Sequence, residues 1–283
     1  MSRLPTVSVL QAGHCHHPEH VVLRSRRLTP MRFPALFALI EHPKAGVVLF
    51  DTGYSQHFEA ATRRFPDRLY AWITPVTLPP GDAAKAQLAT RGITAEDVAW
   101  VIASHFHADH VSGLADFPRA RYVFFQSAWA EVRGRRGLAA VRRGFLPTLV
   151  PGDFEARAHP LGPGDLQPAP PALFPIRRGV DLFGDSTTWA VHLPGHAVGQ
   201  LGLYVTADDG RDYLFVADAC WTREGWQSQR LPHPVTRLLF ADWGEYAATL
   251  GAIAEIAQAR PQMAIVPSHC EATFATLAQA APR

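Results

Sequence analysis

The chain is poor in sulfur, with three cysteines and three methionines among 283 residues. Cys15, Cys220 and Cys270 cannot all pair, and their scatter offers no disulfide framework, which excludes a small disulfide-stapled secreted fold. No apolar run approaches the roughly 20 residues needed to span a bilayer, so no membrane partner is expected. The N-terminal apolar stretch, Val7 to Leu10, is too short for a signal sequence. A cytoplasmic protein with reduced thiols is therefore expected. Net charge is also scarce: +2 overall, too little to imply a nucleic-acid partner. Local basic clusters at Arg24-Ser25-Arg26-Arg27 and Arg133-Gly134-Arg135-Arg136 are read as solvated turns or helix faces.

What remains is a composition of 47% hydrophobic and 18% charged residues, which suits a compact enzyme and argues against disorder. Short β-branched runs at 7–10, 36–41, 47–50, 98–103, 122–125, 188–193, 201–205, 213–217 and 263–266 read as strands. Helical patterns fall at 83–91, 128–133, 137–143, 245–260 and 273–280. The longest is the best defined. Asp242 is placed to cap it, Glu245 follows as in a capping box, Pro261 lies beyond its end, and Tyr246, Leu250, Ile253 and Ala257 line one face. The segment 147–178 is rich in proline and glycine and reads as a loop joining two halves, about 1–150 and 180–283. These halves are expected to form one domain of α/β (α+β) class, spanning 1–283.

The chemistry concentrates in Ala103-Ser104-His105-Phe106-His107-Ala108-Asp109-His110. Three histidines and an aspartate directly follow an apolar strand. His105 and His107 alternate, so both can point one way, and Asp109 and His110 follow where the chain must turn. Three further ligand-type residues, His196, Asp218 and His269, each sit just beyond an apolar strand. Packing such groups together away from water costs about 1–3 kcal/mol each unless they are paired. A divalent metal reverses the sign of that cost.

This pattern resembles the metallo-β-lactamase superfamily, whose H-x-H-x-D-H signature matches His105, His107, Asp109 and His110, with His196, Asp218 and His269 following in order. Leu49-Phe50-Asp51-Thr52-Gly53 resembles its D-T-G turn, whose aspartate supports the site from behind. The resemblance implies an αββα sandwich of two mixed sheets flanked by helices, with metals at one edge. It implies two divalent ions, most simply zinc: His105, His107 and His196 on the first, Asp109, His110 and His269 on the second, Asp218 bridging. Two such ions share a hydroxide, because metal binding lowers the pKa of water from about 15.7 towards about 7. That hydroxide would attack a polarised carbonyl while Asp109 shuttles a proton.

Within the superfamily the chain looks most like the N-acyl-homoserine lactone lactonases, the quorum-quenching enzymes. The likeness rests on Ala12-Gly13-His14-Cys15, Gly92-Ile93-Thr94-Ala95-Glu96-Asp97-Val98 and Pro194-Gly195-His196-Ala197-Val198-Gly199-Gln200. A small-molecule lactone or ester substrate and a homodimer are the implied partners. One departure stands out. Those lactonases carry a tyrosine three residues after the bridging aspartate, whereas Asp218-Ala219-Cys220-Trp221 places a tryptophan there, as a catalytic candidate with an N–H donor of different reach. The alternatives are an esterase, arylesterase or thioesterase acting on another hydrophobic carbonyl compound, and an idle metal-binding module. Met31 to Pro34, Tyr70 to Ile73, Phe145, Trp221 and Trp226 are apolar candidates for the pocket, placed on loops. A second histidine cluster, His14-Cys15-His16-His17-Pro18-Glu19-His20, is expected to lie outside the active metals.

Overall fold

A computed structural model describes residues 3–25 and 27–280; Arg26 of the first basic cluster lies outside the described residues. Strands β1 (Thr6–Pro18), β2 (Pro30–His42), β3 (Gly46–Phe50), β4 (Val76–Thr77), β5 (Val98–Ile102), β6 (Arg121–Phe125) and β7 (Ala158–Leu161) build the first sheet, in the order β4-β1-β2-β3-β5-β6-β7. Strands β8 (Gln167–Pro168), β9 (Arg178–Asp181), β10 (Thr188–His192), β11 (Leu201–Thr206), β12 (Asp212–Ala217) and β13 (Ala264–Pro267) build the second, in the order β13-β12-β11-β10-β9-β8. Each sheet is mixed: β3, β5, β6 and β7 pair in parallel, as do β12 and β13, and the other pairs are antiparallel.

The period-two alternation of strand side chains creates the layers. On β2, Leu36, Ala38 and Ile40 enter a core shared with Leu201, Leu203 and Phe215 of the second sheet. Phe37 and Leu39, pointing the other way, meet helix residues such as Leu88, Val111 and Ala128. On the far face of the second sheet, Val191, Leu214 and Ile265 pack against Leu250, Ile253 and Ile256. Strands covered on both faces must be apolar throughout, which is why their sequences read as continuous hydrophobic runs. Each fully buried leucine or isoleucine contributes about 1.5–3 kcal/mol. The expected αββα architecture is the one observed.

The helix Trp243–Ala259 begins at Asp242, whose Oδ1 accepts the Glu245 backbone N–H at 2.8 Å. Tyr246, Leu250 and Ile253 are buried as the spacing predicts, joined by Thr249, Ala254 and Ile256. Two features depart from expectation. Strands β1 and β2 each run 13 residues, paired from Thr6↔Glu41 to Pro18↔Pro30, so Met31 to Pro34 lie on a strand and not on a loop. The proline-rich segment 147–178 carries β7 and β8, one edge strand of each sheet. Proline cannot donate to a ladder and is tolerated at edges, so local composition disguised both strands as loop. Tyr70 to Ile73 belong to the short helix Arg68–Ile73. Among the described residues, no helix is long and apolar enough to cross a membrane.

Candidate metal centre

Each chemical side chain sits just past the end of a strand, at one edge of the sandwich. Beyond β5 the chain passes through His105 to His107, then turns into the single helical turn Ala108–Val111 that carries Asp109 and His110. His196 follows β10 through Gly195, whose φ is +121°. A Cβ at Gly195 would lie 2.1 Å from the Tyr246 backbone nitrogen, so only glycine lets the helix Trp243–Ala259 approach this turn. The His196 carbonyl accepts the Ala241 N–H at 3.0 Å, fixing the turn from the other side. Asp218 follows β12, and His269 follows β13.

The seven residues converge as two groups: His105, His107, His196 and Asp218 in one, Asp109, His110 and His269 in the other. Within each group the ligand atoms lie within 4.8 Å of one another. Asp218 faces both. Its Oδ2 is 3.2 Å from His196 Nε2, while its Oδ1 is 3.0 Å from His269 Nε2 and 3.3 Å from His110 Nε2. Asp109 Oδ2 lies 3.3 Å from His269 Nε2.

Three ring nitrogens pointing away from the centre are anchored, while His196 Nδ1 is buried without a partner. His110 Nδ1 meets Asp51 Oδ2 at 2.7 Å, and His269 Nδ1 meets the Pro34 carbonyl at 2.8 Å. His105 Nδ1 lies 3.0 Å from Ser104 Oγ, which in turn is 2.9 Å from Asp51 Oδ2. Several inward atoms are unmet: His105 Nε2, His110 Nε2 and Asp218 Oδ1 are buried without a hydrogen-bond partner. A buried polar atom left unpaired costs about 1–3 kcal/mol. Orphaned nitrogens and a carboxylate oxygen aimed at one point, with anchors behind them, are what a divalent cation requires. The residues fit the group, and a donor set of nitrogen and oxygen without thiolate suits zinc, manganese, iron or cobalt.

Electrostatics divide the two groups. Burial holds His105 well below the ordinary histidine pKa, reinforced by His110 and His107, and burial pulls His107 down as well. His196 is lowered to about 3, again chiefly by burial. These three are neutral at pH 7, the form that binds metal. For His110, burial pushes down, but Asp109, Asp51 and Asp218 outweigh it and raise the pKa well above the usual value. His269 is raised too, because Asp218 and Asp109 overcome its burial. Burial pushes Asp218 up, yet His269, His110 and His196 together hold it well below the carboxylate range.

The D-T-G segment closes the site from behind. Asp51 accepts the Ser104 backbone N–H at 2.8 Å, and Thr52 Oγ1 donates to the His110 carbonyl at 2.9 Å. In front opens a cavity of about 180 Å³, with Asp109, Asp218 and His269 among its lining and Phe33, Tyr70, Ile73 and Trp221 on its walls. Of the candidates, Met31, Arg32, Pro34, Ala71, Trp72, Phe145 and Trp226 do not line it. Phe145 is buried in the core between the first sheet and its helices, and Trp226 packs against the core behind the second sheet. Cys15, His17, Tyr54 and Leu239 line the cavity unforeseen. They come from β1, the D-T-G turn and the segment after Pro234–Leu238, which meet only through folding. Trp221 takes an orientation the sequence did not disclose: its indole N–H donates to Asp218 Oδ2 at 3.1 Å. Among the described residues, the cluster His14 to His20 forms no metal-holding group.

Comparison with known proteins agrees with the geometry. The family model of the metallo-beta-lactamase superfamily matches residues 32–269. The chain is 28% identical over 207 residues to N-acyl homoserine lactonase AttM of Agrobacterium fabrum, covering 70% of each chain. It is 25% identical over 284 residues to N-acyl homoserine lactonase AiiB of the same organism, covering 95% of each. An N-acyl homoserine lactone hydrolase solved with N-hexanoyl-L-homoserine at its catalytic metal centre superposes with a TM-score of 0.70 at 16% identity, covering 97% of each chain. The dizinc quorum-quenching lactonase AidC superposes with a TM-score of 0.65 at 13% identity, covering 96% of this chain and 90% of AidC. By a match that runs from β2 to the last of the seven clustered residues, the chain belongs to the metallo-beta-lactamase superfamily and is a hydrolase of that fold.

Proposed function

We propose that the protein is a dizinc lactonase that opens N-acyl-homoserine lactones. The observation that carries the reading is Asp218, whose two oxygens face different groups of ligands, 3.2 Å from His196 on one side and 3.0 Å from His269 on the other. Two zinc ions held by these groups would supply an acidified shared water and polarise the scissile carbonyl.

The chain's own residues account for the rest. Asp51 and Ser104 hold the His110 and His105 rings so that each turns Nε2 inward. Asp109 borders the cavity beside His269, where its carboxylate can take the proton of the attacking water and return it to the leaving alkoxide. Val22, Phe33, Ile73 and Leu239 give the cavity an apolar wall that fits an acyl chain and excludes water from the reacting carbonyl. One observation favours a second reading. Trp221 commits its N–H to Asp218 and does not offer it free to a lactone carbonyl, so a different hydrophobic ester remains the rival substrate.

Metal analysis joined to a substrate panel tests both readings. Two ions per chain are expected, with activity lost on chelation and restored by zinc. Proton release from N-acyl-homoserine lactones of several chain lengths should exceed cleavage of aryl esters. Fast ester cleavage with no release from any lactone would refute the lactonase reading and leave the esterase.

A further inference from the structure

We propose that Tyr70 is the group that hydrogen-bonds the substrate carbonyl in this cavity, while Trp221 is a positioning residue that holds Asp218. The inference rests on the reading that the cavity hydrolyses a carbonyl compound.

A carbonyl attacked between the two ligand groups must sit beside Asp218, and a donor there stabilises the charge that develops on its oxygen. Most protic groups lining the cavity are committed elsewhere. The Trp221 N–H donates to Asp218 Oδ2 at 3.1 Å. The Thr236 hydroxyl donates to the His233 carbonyl at 2.7 Å. The Tyr54 hydroxyl is buried beside the Cys15 thiol. Cys15 carries a buried thiol, a weak donor whose pKa burial pushes up to about 12. Arg142 is exposed at the mouth.

His17, Thr74 and Tyr70 remain as protic groups on the lining, and of these the tyrosine phenol reaches furthest from its backbone. Among charged neighbours His17 feels His269, Asp109 and His16, on the side of one ligand group. Tyr70 lines the cavity together with Asp109 and Asp218, one from each ligand group, and both carboxylates act on its phenol. Burial first, then Asp109, Cys15 and Asp218, raises its phenol well above the ordinary range, so it remains a protonated donor at neutral pH. The ring is held in place on the short helix Arg68–Ile73 by Phe58, 5.7 Å away edge-on. Trp221 is wedged between Phe33 and Phe240 at 6.1 and 5.5 Å, which fixes its N–H on the carboxylate.

The experiment uses the zinc-loaded protein and its Tyr70→Phe, His17→Gln and Trp221→Phe variants. Each is assayed on N-hexanoyl-homoserine lactone and on 4-nitrophenyl acetate, and each is titrated with a zinc chelator. Tyr70→Phe removes one oxygen and should lower kcat by about 10²–10³ with zinc affinity unchanged. Trp221→Phe keeps the aromatic packing and should weaken zinc binding by about 10–100-fold, a shift Tyr70→Phe does not produce. The proposal is overturned if Tyr70→Phe turns over like the parent on whichever substrate the parent cleaves. It is equally overturned if His17→Gln shows the kcat loss instead, or if Trp221→Phe retains zinc at parental affinity. A parent that cleaves the ester and not the lactone sinks the lactonase reading alone and leaves the Tyr70 comparison intact.

Discussion

Replacing Asp51 by asparagine changes one atom of a residue that reaches no substrate, yet it should unload one metal. The Asp51 carboxylate accepts from the Ser104 N–H at 2.8 Å, meets Ser104 Oγ at 2.9 Å and holds His110 Nδ1 at 2.7 Å. An asparagine can keep its oxygen on the Ser104 N–H, but its NH₂ then faces His110 Nδ1. Two donors cannot share that contact, so the imidazole must carry its proton on Nε2, the nitrogen facing Asp109 and Asp218. A ligand in the wrong tautomer does not bind. Loss of such an anchoring partner typically costs 10–100-fold in metal affinity, or about 1.4–2.7 kcal/mol. The metal-free protein loses a buried charge-assisted bond as well, worth about 1.5–3 kcal/mol. Chelator competition should show the ion at Asp109, His110 and His269 weakened by that factor and the other ion unmoved. Calorimetry of the metal-free form should show a melting point several degrees lower. Two ions bound at parental affinity would refute the tautomer argument.

Two further outcomes follow from the same geometry. His110 and His269 are raised in pKa and must shed protons to bind metal, whereas His105, His107 and His196 are lowered and already neutral. As pH falls below 7, the ion of the first pair's group should therefore leave before its neighbour, and metal content at pH 5 should approach one per chain; simultaneous loss, or loss in the reverse order, contradicts the assignment. Gly195→Ala would bring a Cβ to 2.1 Å from the Tyr246 nitrogen at a φ of +121°. The helix Trp243–Ala259 would have to shift, costing more than about 3 kcal/mol, and a thermal melt matching the parent would show that the turn has room.

The seven clustered residues were legible because each belongs to a local pattern, an apolar strand followed closely by a histidine or aspartate. That pattern survives without knowledge of the fold, since strand burial and strand ends are written in adjacent residues. The helix Trp243–Ala259 was legible for the same reason, through its cap and its spacing. The extensions of β1 and β2 were not. Residues 14–18 and 30–34 are rich in histidine and proline, poor strand formers that are held extended by pairing with each other. Edge strands β7 and β8 were hidden likewise, by prolines that an edge tolerates and a central strand would not.

What the linear chain determined was the layered class of the fold, the seven ligand-type side chains and their order. Those follow from short-range rules: the alternation of apolar residues, the capping of helices and the cost of stranded polar groups. What only the folded molecule decided was the direction of each functional group. Trp221 could have left its N–H free in the cavity, and His17 could have lain in a separate metal cluster. Their places were set by contacts between segments up to about 200 residues apart, such as Phe33 against Trp221, and no local preference encodes such a contact.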